Sequence, residues 1–484
     1  MNYILAVLSA LLLILTFPRF DFVWLAPVAL APLLVAVTRE RRAGPRFLLG
    51  YLAGVLYWCG VCYWIGGVLA KFGGISSVLA WLLLALFCLV KALHMGFFAL
   101  LAGMAMRTAW AVPAVAAIWV AIEITHGWLG FAWLALGNAG IDMNVPMRLA
   151  PYTGVYGLSF VFLMMATALA LPLLRRPRRQ VLWVVALPLL MLLPRLPDWQ
   201  RGNQIAILTQ PNISETETWT PQSVQTMERR LAYLSMNAVL ADKNLSLDLV
   251  VWPEVPAPLY ADDPDFLRMA ANLSRLAGGY FLTGAVGHTP DGAPLNSALL
   301  VSRSGDVLGR YDKVHLVPFG EFVPWPFGFV NKISTEAGDF HAGKKVVVFP
   351  MGEHRMSAFI CYESVFPNFV RQFVLNGAEL LVNISNDSWF GKSPARLQHL
   401  KIVRMRAAEN RRWILRSTND GITGTIDPAG RLLGTLPDYL EAASSSGYSY
   451  IKETTFYTRH GDWFALICAV CGAATVARVK WKSN

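Results

Sequence analysis

The chain has 484 residues, of which 55% are hydrophobic and only 15% charged. Water-soluble enzymes carry about 25% charged residues, so this composition, with a mean hydropathy of +0.44, excludes an ordinary soluble protein and implies a membrane protein with one water-facing region. The formal net charge of +11 does not signal nucleic acid, because much of the excess sits in short clusters beside hydrophobic runs, where topology explains it.

Eight windows are apolar enough, and about long enough, to cross a hydrocarbon core, which takes roughly 20 helical residues. They lie near 3–17, 23–38, 47–69, 76–104, 109–125, 154–174, 180–195 and 462–478. The first two are short enough for a re-entrant pair. The first has neither a basic leader nor a small-residue cleavage site before Pro18 and Arg19, so it reads as a retained span. Lys91 and His94 fall inside the fourth window, and Glu123 and His126 at the end of the fifth. Ionisable groups at such depth are functional candidates, here read as structural pairing or head-group contact rather than chemistry.

Basic loops stay on the cytoplasmic side. Arg39, Arg41, Arg42 and Arg46 follow the second window, Arg107 the fourth, Arg175, Arg176, Arg178 and Arg179 the sixth, and Arg478, Lys480 and Lys482 the eighth. The odd-numbered exits show only Arg19 and Lys71 in their short loops. This pattern predicts both termini inside and residues 199–460 outside, between a seven-helix region at 1–198 and a last helix with its tail at 461–484.

The outer segment changes character. NQIAILT, LDLVVWPE, GYFLTGAV, NSALLVS, KVVVFP, MSAFICYE, ELLVNIS, RWILRST and TGTIDP read as strands, being β-branched runs bounded by turn residues. The stretches at 220–244, 264–279 and 395–412 read as helices. A segment of this length suffices for one core of stacked sheets covered by helices.

Cys361, in MSAFICYESVFP, is the one cysteine of that segment, since Cys59, Cys62, Cys88, Cys468 and Cys471 all lie in apolar runs. With no partner in its own domain, its thiol is available as a nucleophile. Glu254 in VVWPEVP and Lys313 in GRYDKVHLVPFGEFVP also fall at strand ends. A free thiol has a pKa near ~8.5 and is only a few per cent thiolate at neutral pH. Glu254 can take its proton, and Lys313 can stabilise the thiolate and the oxyanion of an attacked carbonyl. Each residue alone also has a plain structural reading: a core cysteine, a strand-end cap, a solvated lysine.

Glu in a WPE word, Lys in a YDK word followed by PFGE, and Cys in a CYE word, in that order, resemble the Glu-Lys-Cys triad of the nitrilase superfamily. With seven spans before the domain and one after it, and with WLGFAWLALGNAG, NISNDSWFG and QHLKIVRMRAAENRRWILRSTNDGITGTID, the chain resembles the apolipoprotein N-acyltransferase family. Two words depart from the pattern: Gln210, Pro211 and Asn212 replace the usual QGN, and KSPARLQH follows NDSWFG without the aromatic often found there.

The resemblance implies a nitrilase-like αββα sandwich on an eight-helix transmembrane bundle, α/β plus membrane α. It implies Glu254 as general base, Lys313 as stabiliser and Cys361 as nucleophile, with Glu321, Glu363 and Tyr362 in support and Trp219 and Trp389 on the substrate side. The implied reaction takes an acyl chain from the sn-1 position of a phospholipid, with phosphatidylethanolamine the expected donor, and passes it through a thioester to the α-amine of an S-diacylglyceryl-cysteine apolipoprotein. No metal, cofactor or nucleic acid is expected. The implied setting is a monomer in the bacterial inner membrane, with the catalytic domain periplasmic. Phe322 to Gly343 reads as a mobile lid. The rivals are a tethered amidase that passes its acyl group to water, and a transport or lipid-binding protein with an inert outer domain.

Overall fold

The computed structural model describes residues 1–481 apart from 129, 176–177, 199–201, 215–216, 243–246 and 324–339. The first part is helical: α1 (Asn2–Thr16), α2 (Ala31–Arg39), α3 (Ala43–Cys62), α4 (Trp64–Phe72), α5 (Ser77–Ala105), α6 (Ala111–Glu123), the short α7 (Thr125–Trp128) and α8 (Ala150–Thr153), and α9 (Val155–Leu173). Further along come α10 (Pro221–Ala241), α11 (Pro264–Ala277), α12 (Pro367–Leu375), α13 (Ala395–Asn410), α14 (Phe456–His460) and α15 (Trp463–Trp481).

Among the described residues, five helical stretches are long and apolar enough to cross a membrane: α3, α5, α6 with α7, α9 and α15. The other three windows take different forms. Helix α1 stops at Phe17, which is extended ahead of Pro18, as the residue before a proline tends to be; its 15 residues reach about 22 Å. In the second window Pro27 and Pro32 interrupt the pattern, leaving a 3-10 turn at Val23–Leu25 and the nine-residue α2. The seventh folds as a 15-residue 3-10 helix, Arg178–Leu192, which at roughly 2.0 Å per residue extends about 30 Å. Close packing of α3 on α5 depends on Gly50 and Gly54, because a Cβ at Gly50 would lie 2.3 Å from the Ala99 Cβ. Small residues four apart are a common device for bringing membrane helices together.

Two six-stranded sheets form the remaining body. The first has the order β12-β1-β2-β3-β4-β5 and the second β11-β10-β9-β8-β7-β6. The strands are β1 (Gln204–Gln210), β2 (Leu247–Val251), β3 (Tyr280–His288), β4 (Pro294–Val301), β5 (Val307–Asp312), β6 (Phe349–Met351), β7 (His354–Ile360), β8 (Leu380–Ser385), β9 (Ile414–Thr418), β10 (Gly424–Ile426), β11 (Leu432–Leu433) and β12 (Ala442–Tyr448). Strands β1, β2 and β3 are parallel, as are β7, β8 and β9. Parallel neighbours need crossovers, which α10 to α13 supply.

Alternation along each strand sorts side chains between layers. Ala206, Leu208, Leu249 and Val251 join the core shared with the second sheet, whereas Ile207, Val250 and Phe281 face the core under α10 and α11. The second sheet turns its other face to α12 and α13, with Phe373 of α12 packed on Phe359 of β7. The layers are therefore αββα.

Helix α13 joins this sandwich to the bundle. The buried Gln398 accepts from the indole N–H groups of Trp64 and Trp133 at 3.2 and 2.8 Å, and donates to the carbonyls of Pro18 and Val61 at 2.7 and 3.2 Å. Lys401 lies 2.6 Å from Asp21 and Arg404 2.5 Å from Asp142. Glu409 accepts from the Val155 N–H at 2.9 Å, capping α9 just after the left-handed Gly154. Because a buried polar group left without its partner costs about 1–3 kcal/mol, Gln398→Leu should lower the thermal midpoint in detergent by about 5 °C or more. Tryptophan fluorescence during a thermal ramp measures it.

Candidate active site

In open parallel sheets, ligands bind beyond the carboxyl ends of the strands. Glu254 follows β2, Lys313 follows β5, Cys361 follows β7 and Asn386 follows β8. Strand β5 runs antiparallel to β4, and β4 to β3, so β5 points the same way as β2 and β3. The sequence-predicted triad thus gathers at one edge of the sandwich.

Lys313 is only 1% exposed. Its ammonium donates to Glu254 Oε1 at 3.0 Å and to Glu321 Oε1 at 2.9 Å. Asn296 of β4 bridges the same two carboxylates, donating at 2.7 Å to each. The Asn386 N–H donates to Glu254 Oε2 and the Val317 N–H to Glu321 Oε2, both at 2.8 Å. Burial alone would pull the lysine down, but the charges of Glu254 and Glu321 outweigh it and hold the ammonium well above its ordinary value.

Cys361 is buried beside this cluster, and the Ser385 hydroxyl at the end of β8 donates to Asp387 at 2.8 Å. Burial and then the Glu254 charge push the thiol well up, opposed by Lys313. That shift favours the thiol over the thiolate at Cys361. Its φ of +48° is left-handed backbone, costing about 1–2 kcal/mol for a side chain other than glycine.

Two devices hold that turn between β7 and the 3-10 helix Cys361–Val365. Glu363 accepts from the Ile360 N–H at 2.7 Å, from the Val314 N–H at 2.7 Å and from the Tyr311 hydroxyl at 2.5 Å, tying the nucleophile turn to the lysine loop. Burial lifts its carboxyl to about 7 against these hydrogen bonds. On the other side His399 of α13 sets Nε2 3.1 Å from the Cys361 carbonyl oxygen and Nδ1 3.0 Å from Asp387. Arg416 donates to Asp387 at 2.6 Å. Burial would raise the Asp387 carboxyl, yet Arg416 and His399 keep it well below the carboxylate range.

The edge that carries the cluster is seated on the bundle. Tyr362, next to Cys361, donates its hydroxyl to the Gly130 carbonyl at 2.6 Å. Trp389 packs edge-on to Phe72 of α4 at 4.8 Å, and Phe390 to Trp64 at 5.1 Å. Trp219 is placed elsewhere, against the core cluster under α10 and α11. Of the stretch read as a lid, residues 324–339 lie outside the described residues, as does Lys482 of the basic tail.

The structure brings together the residues expected from the sequence, Glu254, Lys313, Cys361, Glu321 and Glu363, and sets beside them Asn296, Ser385, His399 and Arg416, which the sequence did not single out. Asn296 joins the cluster because Lys313 N–H donates to its carbonyl at 2.8 Å across the β4–β5 pairing, a register that no local pattern encodes. Asp387 and His399 lie in NISNDSWFG and QHLKIVRM, but only the packing of α13 behind the Cys361 turn brings them to it.

Residues 9–168 match the family model described as the apolipoprotein N-acyltransferase N-terminal domain, and residues 205–444 match the carbon-nitrogen hydrolase model. The two-sheet body is accordingly a nitrilase-like fold. An apolipoprotein N-acyltransferase of Geobacter metallireducens is 34% identical over 511 residues, covering 99% of this chain and 95% of that protein. Proteins of the same name from Chlorobaculum tepidum and Pseudomonas syringae pv. tomato are 29% and 32% identical, over 99% and 96% of this chain and 97% and 94% of theirs. Similar along almost its entire length to proteins of this kind, the chain belongs to the apolipoprotein N-acyltransferase family.

Proposed function

We propose that the chain transfers an acyl chain from the sn-1 position of a phospholipid, through a thioester on Cys361, to the α-amine of an S-diacylglyceryl-cysteine apolipoprotein. The observation that carries this reading is the position of the Glu254, Lys313 and Cys361 cluster, on the edge of the sandwich that Tyr362 ties to the bundle. A nucleophile for a soluble substrate has no need of that seat. Both substrates are held by acyl chains worth about 0.8 kcal/mol per buried methylene, so a site at the membrane surface avoids extracting either.

In the first step Glu254 takes the thiol proton as Sγ adds to the ester carbonyl, and Lys313 stabilises the oxyanion. Collapse breaks the ester C–O bond; Glu254 returns the proton to the leaving alkoxide, and lysophospholipid departs. In the second step the lipoprotein amine adds to the thioester carbonyl and gives up a proton through Glu254. The C–S bond then breaks, leaving an amide and the free thiol. Holding the amine in place supplies an effective molarity of ~10⁵ M or more over bimolecular attack, which favours transfer over loss to water. The reading places all eight windows across the bacterial inner membrane, with the sandwich periplasmic, both termini cytoplasmic and the chain monomeric. Trp389, beside α4, fits a role at the lipid entrance; Trp219 would act from the outer face of the first sheet, and residues 322–343 as the lid.

Three outcomes test it. Incubated with phosphatidylethanolamine alone, the wild type should gain one acyl mass that hydroxylamine removes and that moves to the amine of a diacylated lipopeptide, whereas Cys361→Ala gains none. An adduct lost only to water would mean a hydrolase, and no adduct would mean a binding or transport protein. Glu254→Gln should slow adduct formation by about 10²–10⁴-fold, measured by quenched-flow mass spectrometry, with the fold unchanged by circular dichroism. Since the thiol is raised, thiolate appears only as pH climbs past the ordinary value near ~8.5. Iodoacetamide alkylation of Cys361, followed by peptide mass, should therefore keep rising above pH 9 without a plateau.

A further inference from the structure

One short segment under the nucleophile is fastened at both ends from inside the bundle. Residues 130–135 carry neither helix nor strand, and they lead into the 3-10 helix Leu136–Asp142. Lys91, in the middle of α5 and 4% exposed, donates to the Phe131 carbonyl at 2.9 Å and sits against His126 Nδ1. Its ammonium lies 4.9 Å from the Trp58 ring centroid and 5.4 Å from that of Phe131. At the other end Glu123, the last residue of α6, accepts at Oε1 from the Leu136 N–H at 2.8 Å and from the Trp119 indole at 3.0 Å.

The same segment carries the contacts to the catalytic body. Gly130 accepts from Tyr362, Trp133 donates to Gln398, and the Phe131 ring lies 6.3 Å from that of Tyr362. A charged side chain within a bundle costs several kcal/mol unless it is matched. Lys91 spends its hydrogen bonds on a main-chain carbonyl and a histidine, so what its burial secures is the placement of a piece of backbone.

We propose that Lys91 and Glu123 are positioning residues for acyl transfer. They hold the segment at the height where the Gly130 carbonyl meets the Tyr362 hydroxyl, and through Tyr362 they keep the strained Cys361 turn in register with Glu254 and Lys313. Neither residue touches the reacting atoms. The proposal rests on the acyl-transfer reading above and adds to it a mechanical dependence of the site on the membrane helices.

The experiment is a double-mutant cycle on the full-length protein in mixed micelles containing phosphatidylethanolamine, with the single-turnover rate of acyl-adduct formation as the readout. Lys91→Met and Tyr362→Phe should each slow the step by about 5–30-fold, with half-saturation by lipid within about twofold of wild type, and the double variant should be no slower than the slower single. Glu123→Ala should lose a similar factor, and Glu123→Gln, which keeps an acceptor oxygen for the Leu136 N–H, should recover most of it. Should Lys91→Met fail to accumulate in the membrane, Trp133→Phe, which deletes one donor on the same segment, takes its place in the cycle. A wild-type rate in Lys91→Met, factors that multiply in the double variant, or a Glu123→Gln as slow as Glu123→Ala would overturn the positioning role while leaving the transferase intact. A wild type that forms no adduct would remove the transferase itself and this role with it.

Discussion

A lysine ammonium buried between two carboxylates is the constraint around which the catalytic edge is organised. Removing an ion from water costs several kcal/mol even after relaxation, and Lys313 is almost wholly enclosed. Its charge stays because Glu254 and Glu321 arrive from two different loops, and Asn296, Asn386 and Val317 donate further hydrogen bonds to the same two carboxylates. Removing any one donor leaves a charge short of partners. The strand ends of both sheets are thus held together by electrostatics at the place where the backbone is least regular.

The same pattern of polar partners runs from the Cys361 turn into the helical bundle. Helix α13 has buried residues on nearly every side, which is unusual for a segment this rich in charge. One side supports the Cys361 turn through His399, and another meets the bundle through Gln398, Lys401 and Arg404. Sandwich and bundle thus pack onto a common helix that is buried at 14 of its 16 residues.

Much of this organisation was legible in the sequence, and the limits have physical causes. The parallel strands show as apolar runs because both their faces are covered, and the ordered WPE, YDK and CYE words place the reacting groups at their ends. Strand β12, AASSSGY, carries little apolar signal: it is an edge strand whose pairing is set by its antiparallel register with β1. Strand β5 is short and largely half-exposed, and the nine-residue α12 falls between two strong strand signals. Hydropathy marked the eight apolar windows but not how they fold, since Pro27, Pro32 and Pro188 decide that locally. The partners of Lys91 and Glu123 were invisible, because a main-chain carbonyl and a main-chain N–H leave no trace in side-chain pattern.

The cap on α9 has a consequence for biosynthesis. The first turn of this membrane helix is closed by Glu409, a residue 254 positions downstream of the Val155 N–H that it accepts. At about 5–20 residues per second, the ribosome needs on the order of ten seconds or more to reach it, while the apolar stretch of α9 is already available to the bilayer. That helix end is therefore closed only once the chain through Glu409 has been made and folded against it.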